Sequence, residues 1–476
     1  MAAEPLGEVA SGKETDGLLP IYIYPNARIY KQQLLRAVWQ EGNNDVLAIL
    51  RVEQIVYHDE YSDARTLDLE RRIRLSVDEY LEYLPGRFRV ARARLLGTYE
   101  HSLRPRPLQP PPPRTPVYAV DQKFVDELLC RSKKCLELGT LYPSDLRIRV
   151  DVNTFTLHTL ICGSTGCGKT WLASVIIEQL ARQGAYVIAL DLTGEYSDVI
   201  RQLGGSTFTA FDDLVPDLKI LSVGEFMEMI DRVLTSDLQR NIVETAFVEF
   251  KDNPRMSTPS DLITKVNEVA RRWNAQNDTI RNLTTRLREF LTGLYQQLNA
   301  SPTPPHVIAY ALKRGPVAIR VDDSRELNIT LKWLYAVLRS IRQQKLIDGR
   351  GVLVFIDEAH LVVPRTEDAP AKSTVIDILR RGRHYGIYLV LITQSPAALD
   401  PEALGLVSTV AVFNLPTAQL SALREKLTHY DVTDLAILPT GFAVIAGPLN
   451  KVPFPLLIRV THERTTVHRD DTVPIL

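Results

Sequence analysis

GSTGCGKT at residues 163–170 lies between the apolar run TLHTLIC at 156–162 and the helical pattern WLASVIIEQLARQ at 171–183. The octapeptide matches G-x-x-x-x-G-K-[ST], and a strand before it and a helix after it are the context in which this pattern forms a phosphate-binding loop. Glycines let the backbone amides surround phosphate groups, and the start of the following helix favours negative charge. The sequence therefore predicts an α/β fold whose nucleotide site consists of Gly163, Ser164, Thr165, Gly166, Cys167, Gly168, Lys169 and Thr170.

Lys169 and Thr170 have separate predicted roles in this loop. The lysine ammonium should reach the β- and γ-phosphates of ATP, and the threonine hydroxyl should bind Mg²⁺. A glycine-rich turn that matches the pattern by chance is the alternative. A predicted strand, the loop and a predicted helix follow one another directly, and this context favours a nucleotide site with ATP and Mg²⁺ as cofactors.

The run GVLVFIDEAH at 351–360 ends another apolar strand with two acids. Open α/β sheets bind ligands at the carboxyl ends of their strands, so Asp357 and Glu358 are predicted to lie near the loop. Asp357 would hold the metal through water, and Glu358 would orient and polarise the water that attacks ATP. A solvated acidic pair at a strand end is the alternative for these two residues taken alone.

Polar residues end two further predicted strands. Gln394 closes IYLVLITQ at 387–394, where its amide could sense the γ-phosphate from a strand beside the loop, and a polar strand end is the alternative. Asp191 and Glu195 follow AYVIALD at 185–191. These acids either position water or metal or, for Asp191, cap the next turn.

An arginine cluster, RRGRHYG at 380–386, precedes the Gln394 strand. An arginine delivered by a neighbouring subunit can neutralise charge in the transition state, which is a reason for such ATPases to form rings. For Arg380 and Arg381, a basic helix end beside its own dipole is the alternative. Arg383 is the predicted catalytic arginine.

Two or three domains are expected, because 476 residues exceed one hydrophobic core of ordinary size. Apolar strands that alternate with amphipathic helices predict a parallel sheet covered on both faces, with a helical insertion at about 221–300. Short β-rich runs before residue 100 predict a small N-terminal β-rich domain, for which a barrel is one architecture. The predicted boundaries are 1–103 for this domain, 104–116 for a stiff proline-rich linker or an SH3 ligand, 117–455 for the ATPase domain and 456–476 for a tail.

Composition excludes several classes of protein. Hydrophobic residues make up 45% and charged residues 24% of the chain, which is typical of a globular protein and not of a disordered or fibrous one. A net charge of −1 means that any DNA binding must be local. The chain lacks an apolar run of about 18 residues and begins without an apolar signal segment, so a cytoplasmic location away from membranes is expected. Neither a disulfide nor a zinc site is expected from the spacing of Cys130, Cys135, Cys162 and Cys167.

Together, these motifs resemble the HerA family of hexameric DNA translocases, in the HerA/FtsK branch of P-loop ATPases. The resemblance covers most of the chain, and the DEAH run followed by GRHYG and TQSP is far more specific than the loop alone. The matching motifs, in the order and spacing of the family, are GSTGCGKT, DLTGEY, FIDEAHLVVP, RRGRHYGIYLVLITQSP and LPTGFAVIAGP. The resemblance implies a RecA-like core with a helical insertion, a small N-terminal β-barrel and a C-terminal tail that braces a neighbouring subunit.

The same resemblance implies a function: a homo-hexameric ring that threads double-stranded DNA, with Arg383 acting on the site of the neighbouring subunit. It further implies a partner, either a NurA-type nuclease in DNA end processing or an effector such as a sirtuin-type NADase in antiviral defence. An ATPase scaffold that assembles and regulates such an effector, without processive translocation, is the alternative. Both alternatives require ATP hydrolysis, and they differ in whether DNA stimulates it.

Three further positions bear on this resemblance. Leu157 precedes His158 where the family often has an arginine, so a second trans-acting arginine is in doubt. Cys167 replaces the usual serine or alanine, which makes the loop a candidate for thiol modification. A predicted helix at 271–288 carries arginines that could face DNA phosphates or, as is commoner, form a solvated face: Arg271, Arg272, Arg281, Arg286 and Arg288.

Overall fold

The computed structural model describes residues 4–11, 17–42, 44–59, 87–100, 103–130, 132, 134–293, 295, 297–367, 369–428, 430–447 and 454–460. The described residues belong to two compact units. The first unit takes its residues from 1–151, 427–430 and 442–461, and the second from 152–426, 431–441 and 462–476. Of the predicted C-terminal tail, residues 461–476 lie outside the described residues, as does RIRLSVDEYL at 72–81, one of the β-rich runs before residue 100.

The first unit contains a closed β-barrel, as the β-rich N-terminal pattern predicted. The strands of its sheet are β1 Gly7–Val9, β2 Leu18–Ile23, β3 Leu34–Glu41, β4 Asn44–Asp59, β5 Arg87–Glu100, β6 Arg104–Arg106 and β7 Pro116–Ala119. The order is β2-β1-β7-β3-β4-β5, and antiparallel pairing of β2 with β5 closes the barrel, while β6 is attached to β5. Side chains alternate between the interior and the outer surface, and Ile21, Leu35 and Ala91 are among those fully buried inside.

The proline-rich segment differs from its predicted role as an interdomain linker. Arg104–Arg106 pairs with β5, and Pro116 begins β7, so both ends of the segment belong to the barrel sheet. Between them, the backbone N–H and carbonyl of Gln109 both bond to the Thr98 hydroxyl, at 3.0 and 3.1 Å. Proline is excluded from central strands but tolerated at strand ends and edges, so composition alone did not distinguish a linker from a barrel edge.

The first unit also includes α1 Gln122–Leu129 and four more strands, β8 Cys135–Leu141, β9 Leu146–Asp151, β17 Phe442–Ala446 and β18 Leu456–Arg459. These strands pair antiparallel in the order β17-β18-β8-β9. Residues 117–151 are therefore grouped with the barrel, although the sequence analysis assigned them to the ATPase domain. The expectation of no disulfide is wrong: Cys130 and Cys135 are bonded, because the end of α1 and the start of β8 bring their Cα atoms to 6.0 Å.

The second unit is built on a parallel sheet, as the near-continuous apolar runs predicted. Its strands are β10 Thr159–Cys162, β11 Tyr186–Asp191, β12 Ser206–Thr209, β13 Val317–Arg320, β14 Val352–Ile356, β15 Ile387–Thr393 and β16 Thr409–Val412. Their order is β12-β13-β11-β14-β15-β10-β16, and the pairs are parallel. Strand β15 thus separates β10, which precedes the phosphate-binding loop, from β14, which precedes the two acids.

Helices connect these strands and form the predicted insertion. The connecting helices are α2 Lys169–Arg182, α3 Glu195–Gln202, α9 Ser324–Gln343, α10 Lys372–Tyr385, α11 Pro401–Leu406, α12 Thr417–Leu420 and α13 Val432–Leu435. The insertion lies between β12 and β13 and consists of α4 Val223–Ile230, α5 Asp237–Asp252, α6 Pro259–Arg272, α7 Asn277–Thr292 and α8 Pro305–Arg314. Within the described ranges, no helix has the length and apolar character needed to cross a lipid bilayer.

Sequence signals set the limits of the insertion helices. Ser222 and Thr258 begin α4 and α6 with capping boxes, in which side chains satisfy the first free amides of the helix. Phe226 of α4 stacks on Phe247 of α5 with ring centroids 3.9 Å apart. The predicted basic helix at 271–288 is wrong as a single helix, because α6 ends at Arg272 and α7 begins at Asn277; its five arginines are all exposed. On α7 the buried leucines face the interior, so the helical period separates core from solvent.

Candidate active site

The predicted phosphate-binding loop joins β10 to α2, and both backbone geometry and packing require its glycines. Gly166 and Gly168 have φ angles of +73° and +115°, a region that favours glycine. A Cβ atom on Gly163 would lie 2.5 Å from Sγ of Cys167 and 2.6 Å from Cβ of Phe413. The glycines therefore stand where a side chain would strain or displace the loop.

Lys169 begins α2, and its side chain turns back towards the loop. The residue is 9% exposed, and its Nζ donates a hydrogen bond to the Ser164 carbonyl at 2.8 Å. An ammonium group binds a phosphate oxygen more strongly than a neutral carbonyl, so nucleotide phosphates could take over this bond. The ammonium is held at the loop, where its predicted role requires it.

Asn414 anchors the loop from the end of β16, and it was not among the predicted site residues. Its carbonyl accepts hydrogen bonds from the Ser164 amide at 2.8 Å and the Ser164 hydroxyl at 2.9 Å. Its side-chain Nδ2 donates to the carbonyls of Ala436 and Leu438 at 3.1 and 3.0 Å. The one available signal was an amide residue at the carboxyl end of a predicted strand, TVAVFNL at 409–415.

Asp357 follows β14 and is 9% exposed. Its carboxylate accepts hydrogen bonds from the Glu358 amide at 3.0 Å and from the Thr193 hydroxyl at 3.4 Å. Burial, followed by repulsion from the Glu358 carboxylate, raises the pKa of Asp357 to about 7. A nearly buried carboxylate among other acids is an environment that a cation would stabilise.

A hydrogen-bonded chain joins the tip of the loop to Glu358 through Gln394. The Thr165 hydroxyl donates to Oε1 of Gln394 at 2.8 Å, and Nε2 of Gln394 donates to Oε1 of Glu358 at 2.6 Å. Strand β15 lies between β10 and β14, so the residue that ends β15 lies between the loop and the acid. The structure thus brings Gln394 and Glu358 together with Thr165 of the loop, and their placement beside the loop agrees with the predicted edge of the sheet.

His360 contacts the other oxygen of the Glu358 carboxylate and was not predicted. Its Nδ1 lies 3.3 Å from Oε2 of Glu358 and 3.3 Å from the hydroxyl oxygen of Thr393. The imidazole is the largest influence that lowers the pKa of Glu358, and Gln394 contributes in the same direction. The DEAH run contained the signal, since a histidine two residues after a catalytic acid lies within one turn of it.

Asp191 has a structural role in this chain. Its fully buried carboxylate accepts hydrogen bonds from the Gly194 amide at 2.9 Å, the Ser197 amide at 2.7 Å and the Ser197 hydroxyl at 2.6 Å. These bonds satisfy the amides that begin α3. Of the two roles predicted for Asp191, the structure therefore supports capping of the turn that begins α3.

The oxygen groups at this edge fit a magnesium ion. Thr170 supplies a hydroxyl in the first turn of α2, and Asp357 supplies a nearly buried carboxylate. Magnesium prefers hard oxygen ligands and keeps several waters and phosphate oxygens, so one or two protein groups suffice. In the described part of the chain, no group of three or more His, Cys, Asp or Glu side chains is arranged to hold a metal ion.

Arg383 lies away from this constellation. It belongs to the last turn of α10, which leads into the start of β15, whereas Gln394 follows the end of β15. A strand of this length spans about 20 Å, so Arg383 and Gln394 occupy opposite edges of the sheet. Arg383 also contributes, after burial, to lowering the pKa of His158 to about 4, which places its charge near the start of β10.

The three arginines of the cluster differ in their partners. Arg380 pairs with Glu402, and Arg381 pairs with Asp377 on the preceding turn. Arg383 is exposed, and no carboxylate of the described residues pairs with it. Of the three, Arg383 is the one whose guanidinium can meet another molecule without breaking an internal ion pair.

The expectation that Cys167 is open to thiol modification is wrong. The residue is 4% exposed, and burial is the main cause that raises its pKa. Thiol reagents react with the accessible thiolate, and burial disfavours that form. The loop sequence did not reveal this because Cys167 packs against Gly163.

Two family models and several characterised proteins match this chain. Residues 136–335 match the family described as "Helicase HerA, central domain", and residues 303–457 match the family "Zonular occludens toxin (Zot)". The chain is 24% identical over 452 residues to the DNA double-strand break repair helicase HerA of Pyrococcus furiosus, covering 81% of this chain and 80% of that protein.

Two solved structures share the fold. VirB4 of Thermoanaerobacter pseudethanolicus aligns with a TM-score of 0.55 and 17% identity, covering 70% of this chain and 98% of that one. The plasmid coupling protein TrwB, in complex with ADP and Mg²⁺, aligns with a TM-score of 0.53 and 13% identity, covering 74% of this chain and 94% of that one. Both alignments confirm the predicted RecA-like P-loop core.

Lys169→Ala is expected to abolish nucleotide turnover, because it removes the ammonium group that the loop holds at the predicted phosphate site through the Ser164 carbonyl. Loss of one such stabilising group costs roughly 10²–10³-fold in rate. Phosphate release and binding of a fluorescent ADP analogue would measure the effect. Lys123→Ala, at an exposed lysine of α1, is the matched control, and equal turnover in the two variants would contradict the assignment.

Proposed function

We propose that this chain, an ATP-hydrolysing enzyme whose residues 136–335 match the HerA central-domain family, is a ring-forming motor of the HerA type that moves along double-stranded DNA. The single observation that carries the proposal is the hydrogen-bonded chain from Thr165 through Gln394 to Glu358. It connects the phosphate-binding loop to a carboxylate suited to activating water. A protein that only binds nucleotide has no need of such a connection.

The proposed hydrolysis assigns each side chain one task. The backbone amides of the loop and Lys169 bind the phosphates of ATP, and Thr170 and Asp357 hold Mg²⁺, which would neutralise phosphate charge when bound. Glu358 orients the attacking water and accepts its proton at the carboxylate. Gln394 bonds to both Thr165 and Glu358, so an arriving γ-phosphate could compete for its amide and release Glu358 towards water.

The position of Arg383 supports a site shared between subunits. Within one chain this arginine lies at the edge of the sheet opposite the loop, so it cannot reach the ATP bound to its own chain. In a closed ring of identical subunits, each subunit presents one edge to the other edge of its neighbour. We propose a homo-hexamer in which Arg383 completes the adjacent site. Of the predicted tail at 456–476, Leu456–Arg459 forms β18, so the proposed brace of that contact is limited to residues 461–476.

DNA translocation can be tested with purified protein. Duplex DNA is expected to raise the ATPase rate, because a motor couples turnover to its track. ATP is also expected to be required for displacing streptavidin from a biotinylated duplex end. The Glu358→Gln variant is the negative control for displacement, and displacement without ATP, or an ATPase rate insensitive to DNA, would contradict a translocating motor.

The Pyrococcus furiosus relative is named a DNA double-strand break repair helicase. The first proposed partner is therefore a NurA-type nuclease that receives DNA from the motor. A second candidate function is an ATPase scaffold that assembles an effector such as a sirtuin-type NADase. One observation favours it: Tyr30 and Tyr57 are 51% and 57% exposed in the barrel unit, and exposed aromatic residues are enriched at protein interfaces. For the scaffold, DNA would not change the ATPase rate, whereas the effector would.

A further inference from the structure

A cavity of about 620 Å³ lies in the second unit between the helical insertion and the loop that follows β14. The insertion contributes Arg232 and Phe290, α9 contributes Arg325, and the loop contributes His360 and Arg365. We call this space the arginine cavity, after Arg232, Arg325 and Arg365. The assigned roles in hydrolysis involve none of these arginines.

The arginine cavity is cationic at its charged positions and apolar elsewhere. Its lining includes three arginines and one carboxylate, Glu367, so these four side chains together carry a net charge of +2. The remaining wall is largely apolar, with contributions from Met229 and Ile329 among others. An apolar wall with guanidinium groups fits a sugar joined to a phosphate better than a bare anion, because the sugar carbons need no hydrogen bonds.

The Arg325 guanidinium is already oriented at the cavity. Its Cζ lies 4.7 Å from the centroid of the Phe290 ring, and its Nη2 donates to the Phe290 carbonyl at 3.0 Å. Stacking and one hydrogen bond fix the plane of the group while other N–H donors remain. A guanidinium held in this way loses little side-chain entropy when it binds an anion.

The loop that carries Arg365 also carries Glu358, and it is fastened to the loop that follows Gln394. Pro364 forms an antiparallel bridge with Leu399, and the Arg365 amide donates to the Ala398 carbonyl at 2.8 Å. His360 both lines the cavity and contacts Oε2 of Glu358 at 3.3 Å. A ligand that shifts this wall would therefore act on Glu358 and Gln394 together.

We propose that the arginine cavity receives the sugar–phosphate backbone of duplex DNA, and that its occupancy positions Glu358 for hydrolysis through His360. The inference rests on the proposed motor function and names the site through which DNA would stimulate it. His360 acts here as a positioning residue, because it reaches the reacting water only through Glu358. Recognition through phosphate groups makes the contact independent of base sequence.

The test compares the double variant Arg325→Gln/Arg365→Gln with the wild-type protein. Equilibrium binding of a fluorescent duplex is measured from 50 to 200 mM salt, because each neutralised phosphate contributes about 0.9 to the slope of log K against log salt. The slope is expected to fall by about one for each guanidinium that contacts a phosphate. The increase of the ATPase turnover number caused by DNA is expected to disappear.

Four further variants serve as controls for this test. Arg424→Gln removes the same charge at an exposed position outside the cavity and should keep the wild-type slope and stimulation. Arg365→Lys keeps the charge and should preserve most of the slope. The single variants Arg325→Gln and Arg365→Gln replace the double variant if its unfolding temperature or assembly size differs from wild type.

Each outcome decides the inference. A reduced slope with lost stimulation supports both the binding site and its coupling to Glu358. A reduced slope with full stimulation overturns the coupling, and an unchanged slope in a DNA-stimulated protein overturns the site while the motor function stands. A wild-type protein that does not bind duplex DNA overturns the motor function and, with it, the assignment of the cavity to DNA.

Discussion

Glu358→Gln is expected to leave ATP binding intact and to lower the turnover number by about 10²–10⁴-fold, the usual contribution of a general base. The glutamine side chain has nearly the same shape, so the loop and Lys169 should bind phosphates as before. It has no negative charge and cannot accept the proton of the attacking water. A selective loss of turnover would therefore identify Glu358 as the group that activates water.

ATP binding is measured by equilibrium titration of the variant, and hydrolysis by phosphate release under saturating ATP. Glu402→Gln is the matched control, because Glu402 pairs with Arg380 and lies outside the hydrogen-bonded chain of the active site. The control should retain wild-type turnover. Normal turnover in Glu358→Gln would remove this residue from the catalytic role, and lost ATP binding would point to a structural one.

Arg383→Ala is expected to assemble normally and to lose about 10³–10⁵-fold of its turnover number, the range found for arginines that stabilise phosphoryl transfer from a neighbouring subunit. The side chain is exposed and has no carboxylate partner among the described residues, so its removal should cost little stability. The expected loss is in rate, because the charge acts on the transition state of the adjacent site.

Mixing experiments distinguish action between subunits from an effect within one chain. In mixed rings, a Lys169→Ala subunit still offers Arg383 to the intact loop of an Arg383→Ala neighbour, so part of the activity should return. Arg381→Ala is the matched control, because Arg381 pairs internally with Asp377. Unchanged turnover in Arg383→Ala would rule out the assignment, and the absence of recovery in verified mixed rings would argue against action between subunits.

Local sequence patterns predicted much of the ATPase core. The loop at 163–170 could be recognised because its glycines, lysine and threonine are contiguous, and their geometry depends on the backbone of that segment. Apolar runs predicted the parallel strands, and the helical pattern without a strand signal at about 221–300 predicted the insertion. Asp357, Glu358 and Gln394 could be placed at one edge of the sheet because parallel strands end at the same edge.

Predictions from local patterns were wrong where the same residue pattern can occur in two different structural environments. The proline-rich segment at 104–116 is compatible with both a linker and a barrel edge, and pairing of its two ends with barrel strands decided the matter. The bonded pair Cys130 and Cys135 depended on how closely α1 approaches β8. The burial of Cys167 depended on its packing against Gly163.

By itself, the sequence determined the nucleotide-binding loop, the acids at the end of β14 and the parallel α/β fold, because each depends on neighbouring residues or on a short period. Only the tertiary structure decided that Gln394 bridges Thr165 and Glu358, that Asn414 anchors the loop, and that Arg383 lies at the opposite edge of the sheet. These relations depend on strand order. The order of parallel strands is set by packing across the whole sheet, and residues far apart in the chain meet only after that packing is complete.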